Sequence, residues 1–148
     1  METIESRSDT RSLLIAASPS QVYAAISDPS RVARWWGPEG FTNTIHHFDF
    51  VAGGQWLLTM HGPDGKNYPN ESRFVELVAD QRFVIEHLSG HHFFLTIALE
   101  PSGAGTRVHW QQTFDSVAHY ASIAAFVANA NQQNLERLAA EVLRPASA

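Results

Sequence analysis

The chain has 148 residues, 44% of them hydrophobic and 17% charged, with a formal charge of −5 and no cysteine. That length suits one domain able to bury roughly two-thirds of the surface its unfolded form exposes. The negative charge weighs against nucleic acid or an anionic membrane as partner, and the missing thiols exclude disulfides, thiolate metal sites and a cysteine nucleophile.

The first ten residues are polar, without the apolar core of a secretion signal, and no stretch approaches the ~18 apolar residues of a membrane span. The expectation is a cytoplasmic chain. Residues Thr10 to Ala17 alternate loosely and predict a first strand. Ser18-Pro19-Ser20-Gln21 then opens a helix, since serine can cap, proline suits the first helical position and Gln21 completes a capping box. Val22, Tyr23 and Ile26 give it a short apolar stripe that stops at Asp28-Pro29. A second short helix carries Val32, Trp35 and Trp36 before the Gly37-Pro38 break. Adjacent helical side chains point about 100° apart, so one ring faces the core and the other needs a groove or a mouth. Either both rings pack at a helix-to-sheet corner, or they roof an apolar cavity.

From Phe41 to Phe114 the apolar period becomes two. Phe41–Phe50, Gln55–Gly62, Glu71–Ala79, Gln81–Leu88, His91–Glu100 and Thr106–Phe114 read as strands, and the short connections between them demand antiparallel neighbours. After Ser116 the period returns to 3.6, with Ile123, Val127, Ala130, Leu135, Leu138 and Val142 on one stripe of a helix of about 25 residues. The order is strand, two short helices, six strands and one long helix. An α+β fold in which a curved antiparallel sheet closes on the last helix buries that stripe most economically.

Side-chain facing follows from the hairpin after the Gln81–Leu88 strand. A three-residue loop, Leu88-Ser89-Gly90, places glycine at the left-handed position such loops favour and pairs His87 with His91. Phe93, Leu95, Ile97 and Leu99 then face inward with Phe83 and Ile85. The same alternation turns Trp110, Gln112 and Phe114 inward, together with Trp56, Leu58 and Met60 and with Phe48 and Phe50. Phe74 and Val75 compete for the interior, and the pattern does not choose between them.

Three polar residues intrude on this apolar face: Gln112, and Asn131 and Asn134 on the last helix. A buried amide without a partner costs roughly 1–3 kcal/mol, so these groups bond one another or the backbone, or they present donors to a ligand. Eight histidines invite a metal reading. However, His46-His47 and His91-His92 are neighbours that a strand turns to opposite faces, and only His87 with His91 or His46 could share an ion. No metal or other cofactor is expected. Nucleophile elbows, phosphate loops and inward carboxylate pairs are missing, which leaves His87 as the best general acid/base candidate.

Pro19, Val22-Tyr23, Ile26-Ser27-Asp28-Pro29, Arg34-Trp35-Trp36-Gly37-Pro38, Gly53-Gly54-Gln55-Trp56, Met60-His61-Gly62-Pro63-Asp64-Gly65 and Leu135-Glu136-Arg137-Leu138 follow in an order that resembles a known family. It is the family of proteins similar to the C-terminal domain of the activator of heat-shock-protein-90 ATPase, within the START/SRPBCC superfamily of birch-pollen-allergen-like and polyketide-cyclase-like proteins. The likeness runs from about residue 10 to 143. It implies a helix-grip fold around an apolar pocket. Many relatives carry a Gly-Trp pair in the last helix where this chain has Ala130-Asn131, which implies a larger or more polar cavity.

The leading expectation is a domain that binds a hydrophobic or aromatic small molecule. Trp35 and Trp36 would close the mouth, Phe48, Trp56, Leu58, Met60, Phe93, Leu95 and Trp110 would form walls, and His87, Gln112 and Asn131 would orient the ligand. The alternatives are a cyclase- or hydrolase-like enzyme using His87, and a chaperone-contacting module whose cavity is incidental. Outward Phe94 and Val84 would support a homodimer.

Overall fold

A computed structural model describes residues 3–145. A 3-10 turn at Glu5–Arg7 leads into β1 (Ser8–Ile15), followed by α1 (Pro19–Ser27) and α2 (Pro29–Trp35). Six strands come next: β2 (Thr42–Phe48), β3 (Gln55–His61), β4 (Asn67–Val78), β5 (Arg82–His87), β6 (Phe93–Ser102) and β7 (Gly105–Phe114). The chain ends in α3 (Val117–Leu143). The α+β architecture and element order expected from the pattern are those observed. All seven strands join one antiparallel sheet in the order β1-β7-β6-β5-β4-β3-β2. The two helices between β1 and β2 carry the chain from one sheet edge to the other, and the remaining strands return as a meander.

Local chemistry sets the helix ends. Ser18 and Gln21 form the reciprocal capping box, Asp28 caps α2 through Ser30, and Ser116 caps α3 through His119, so each helix starts with donors satisfied. The interior is aromatic. Trp35, Trp56, Trp110, Phe74 and Phe83 are fully buried, and Trp56 stacks on Phe74 with centroids 5.7 Å apart.

Several boundaries differ from the sequence reading. β1 starts and ends two residues earlier than expected, at Ser8 and Ile15. β4 begins at Asn67 rather than Glu71, because Pro69 sits where β4 pairs with β3 but β5 has already ended, and a strand edge tolerates proline. A bulge between Phe74 and Glu76 settles the competition there: Phe74 is buried and Val75 is 38% exposed. A second bulge between Ile45 and His47 lets Ile45 and Phe48 both pack on the core while His46 and His47 are both exposed. The β5–β6 hairpin pairs His87 with Phe93, not with His91. Its loop therefore has five residues rather than three. The two loops differ by an even number, so every inward assignment on β5 and β6 keeps its face.

α3 lies over β1 and β7 and against α1 and α2. Its buried stripe holds Val127, Leu135 and Leu138, but also Asn131, Asn134 and Glu141. Asn134 and Arg137 fasten the helix to the turn between α2 and β2, and Glu141 fastens it to α2. The Arg137 guanidinium donates to five backbone carbonyls, those of Arg34, Trp36, Gly37, Pro38 and Phe41. Asn134 donates to the Trp35 carbonyl and accepts from Gly37 N–H. Arg31 and Arg34 converge on buried Glu141 at 3.0 and 2.8 Å. The Arg34 hydrogen bonds, outweighing burial and helped by Arg31, pull the Glu141 carboxyl down to about 2.

Replacing Arg137 by leucine should lower stability by about 2–4 kcal/mol in chemical denaturation, since several half-buried carbonyls lose their donor at once. A loss under about 0.5 kcal/mol would mean that the turn holds its shape without α3.

Candidate functional site

Because α3 covers only the β1–β7 side of the concave face, a pocket of about 210 Å³ is left over the middle of the sheet. It is lined by Trp36, Met60, Phe93, Leu95 and Trp110, with Asn70, His87, His91, Gln112, Asn131 and Asn134 as its polar residues. Strand alternation delivers most of these. Leu95 stands opposite Gln112 across β6 and β7, and Trp110 lies two residues before Gln112 on the same face.

The two adjacent tryptophans have separated roles. Trp35 is the last residue of α2, and Trp36 is already extended, with ψ of 135°. The helical 100° rule does not span that break, and both rings are buried. Trp35 packs in the core, its indole Nε1 donating to the Ala25 carbonyl at 2.9 Å, and it does not reach the pocket. Trp36 lies against Trp56 at 4.8 Å and near Trp110 at 6.5 Å between centroids, and it forms a wall. Of the expected walls, Met60, Phe93, Leu95 and Trp110 face the pocket. Phe48, Trp56 and Leu58 do not: they pack in the core behind Trp36, with Phe48 held 5.6 Å from Trp56.

The polar side is built outward from a buried carboxylate. Asp9 sits beneath the pocket and takes two 2.8 Å hydrogen bonds from Arg11. Burial alone would raise its carboxyl, but the hydrogen bonds from Arg11 and Asn131 hold it below its ordinary value. Asn131 Nδ2 donates to Asp9 Oδ2 and to Gln112 Oε1, at 2.9 and 2.8 Å. The two amides thus bond each other and line the pocket as well.

At the mouth, His87 stacks on Phe93 with centroids 4.5 Å apart. Both of its ring nitrogens are engaged by oxygens, Nδ1 with the His91 carbonyl at 2.7 Å and Nε2 with Asn70 Oδ1 at 2.6 Å. A carbonyl only accepts, so Nδ1 carries a proton. Burial lowers the pKa of His87 from its usual 6.5, against the opposing pull of the His91 carbonyl. His91 Nδ1 meets His119 Nε2 of α3 at 2.7 Å, one ring donating and the other accepting. His92 bridges Glu86 and Asp115 on the outer side, and those hydrogen bonds raise its pKa. His46 lies on β2, three strands from His87, and the two do not converge. Among the described residues no three His, Cys, Asp or Glu side chains are grouped to hold a metal ion.

Asn70 escaped the sequence reading because the strand was expected to begin at Glu71. His91 and Asn134 had been noted there, but not as pocket residues. Asn134 carried one usable signal, an amide spaced three residues from Asn131 on the helix stripe.

Residues 16–142 match the family described as Activator of Hsp90 ATPase homolog 1-like protein. A search of curated proteins returned no match. Among solved structures, a Chromobacterium violaceum protein is 26% identical and superposes with a TM-score of 0.79, covering 94% of this chain and 99% of its own. An Arthrobacter aurescens protein is 24% identical with a TM-score of 0.85, over 99% of this chain and 92% of its own. DynU16, a protein of the dynemicin biosynthetic locus, is 14% identical with a TM-score of 0.71, over 90% of this chain and 46% of its own.

Since folding favours neutral His87, its contribution to stability is complete above pH 6.5 and declines as the pH falls below that value. Acidification from pH 7 to 5 should therefore cost the wild type more stability than His87→Gln, read from denaturant midpoints. An equal or larger loss in the variant would contradict this.

Proposed function

The chain belongs to the Activator of Hsp90 ATPase homolog 1-like family, and from that premise we propose that it binds a small hydrophobic or aromatic molecule in the pocket between sheet and α3. The observation that supports this reading is a pocket walled by Trp36, Phe93, Leu95 and Trp110 that also takes the side chains of His87, Gln112 and Asn131 into its lining. Such a pairing of apolar walls with a few converging polar groups is the usual form of a small-molecule site. Size narrows the ligand. A cavity of about 150 Å³ holds benzene, so about 210 Å³ suits one or two fused rings.

The site is built for holding rather than for proton transfer. His87 can exchange a proton only by releasing the His91 carbonyl or Asn70, which favours binding over cyclase- or hydrolase-like chemistry. The likeness to DynU16 supports the fold. A chaperone contact, suggested by the family description, would use the outer surface and leave these pocket residues idle.

Calorimetric titration with 2-naphthol tests the assignment. Trp110→Ala, which removes a wall, should weaken binding about ten-fold or more. Phe94→Ala, on the convex face and 39% exposed, should stay within about two-fold. Equal effects would place the ligand elsewhere.

A further inference from the structure

We infer that the ligand presents an uncharged cis-amide edge, as in a lactam or an aromatic carboxamide, which pairs with Gln112 Nε2 and Asn131 Oδ1. This rests on the pocket-binding reading above and specifies the chemistry of its polar end.

Hydrogen-bond polarity, passed inward from one charge, carries the argument. Arg11 binds Asp9 through two hydrogen bonds of 2.8 Å, and an ionised carboxylate only accepts. Asp9 therefore fixes the direction of the Asn131 amide, whose nitrogen must point toward Asp9 Oδ2. The second hydrogen of that nitrogen goes to Gln112, so Gln112 must turn its oxygen to Asn131. Two groups are left over by this sequence: the Gln112 NH₂ and the Asn131 carbonyl oxygen. Neither makes a hydrogen bond to the described residues, and both belong to side chains that line the pocket.

A donor beside an acceptor is the complement of a CO–NH edge. The ligand carbonyl accepts from Gln112, and the ligand N–H donates to Asn131. The same site disfavours an ionised ligand. No Arg, Lys, Asp or Glu lines the pocket, and the ring nitrogens of His87 and Nδ1 of His91 are already engaged, so a carboxylate would be desolvated with no free positive partner. An apolar ring system of equal size would leave the Gln112 and Asn131 groups unpaired, a cost that gives such sites their discrimination.

Three two-ring probes of similar shape separate the outcomes: 2-quinolone with a lactam edge, naphthalene with none, and 2-naphthoate with a charge. In calorimetric titration of the wild-type protein at pH 7, 2-quinolone should bind at least about ten-fold more tightly than either of the others. Gln112→Leu, which removes the donor to the ligand carbonyl, should reduce its advantage over naphthalene to within about two-fold. If naphthalene matches 2-quinolone on the wild type, the amide-edge assignment fails and the pocket reading survives. If 2-naphthoate is the tightest, the site prefers an anion and the uncharged assignment fails. If none of the three binds, the pocket reading itself falls. The comparison on the wild type stands whether or not the variant folds.

Discussion

A single guanidinium holds the α2–β2 turn against the last helix. Arg137 projects from α3 into five backbone carbonyls of residues 34–41, and Asn134 and Glu141 reinforce it from the same helix. The turn is not a regular element, because Gly37 and Gly40 take left-handed angles of 92° and 90°, and of the five carbonyls only that of Pro38 also accepts a turn hydrogen bond from the backbone, from Phe41 N–H, among the described residues. A side chain at Gly37 would also come within 2.8 Å of Met60. Supplying those carbonyls from α3 fixes both the position of the helix and the position of Trp36. The pocket is the space that remains between them.

That arrangement explains why polar residues occupy the helix stripe. Apolar side chains at positions 131, 134 and 141 would bury more hydrophobic surface, but they would leave the turn and Asp9 unsatisfied. Asn131 serves the carboxylate below and the glutamine beside it, so one amide joins structure to site. The lining combines aromatic rings from Trp36, Phe93 and Trp110 with polar groups from Gln112, Asn131 and the His87–Asn70 pair. The pocket is shaped by the packing of the helix, and one buried charge orients its Asn131 and Gln112 amides.

Much of this was legible in the residues. The change of period from two to 3.6, the capping box at Ser18 and the glycine-marked hairpins are local signals, and each gave an element near its true place. The facing of Leu95, Trp110 and Gln112 was equally local, since alternation survives any loop change of even length. What stayed hidden depends on contacts distant in sequence. Nothing near Glu141 announces Arg31 and Arg34, more than a hundred residues away. The bulges at Ile45/His47 and Phe74/Glu76 answer the curvature of the whole sheet and leave no pattern in a single strand. Trp35 and Trp36 were misassigned as a pair because a helix end falls between them, and element ends are the least certain feature of a sequence.

The central claim is that Trp36 and Trp110 face a ligand while Trp35 serves only the core. Nitrogen-15 NMR of the four indole N–H groups tests it during titration with a two-ring aromatic probe such as 2-quinolone. Large shifts are expected for the Trp36 and Trp110 indoles, with Trp35 stationary, held by the Ala25 carbonyl. Shifts at Trp35 with Trp36 and Trp110 unmoved, or no indole shift at saturating probe, would contradict it.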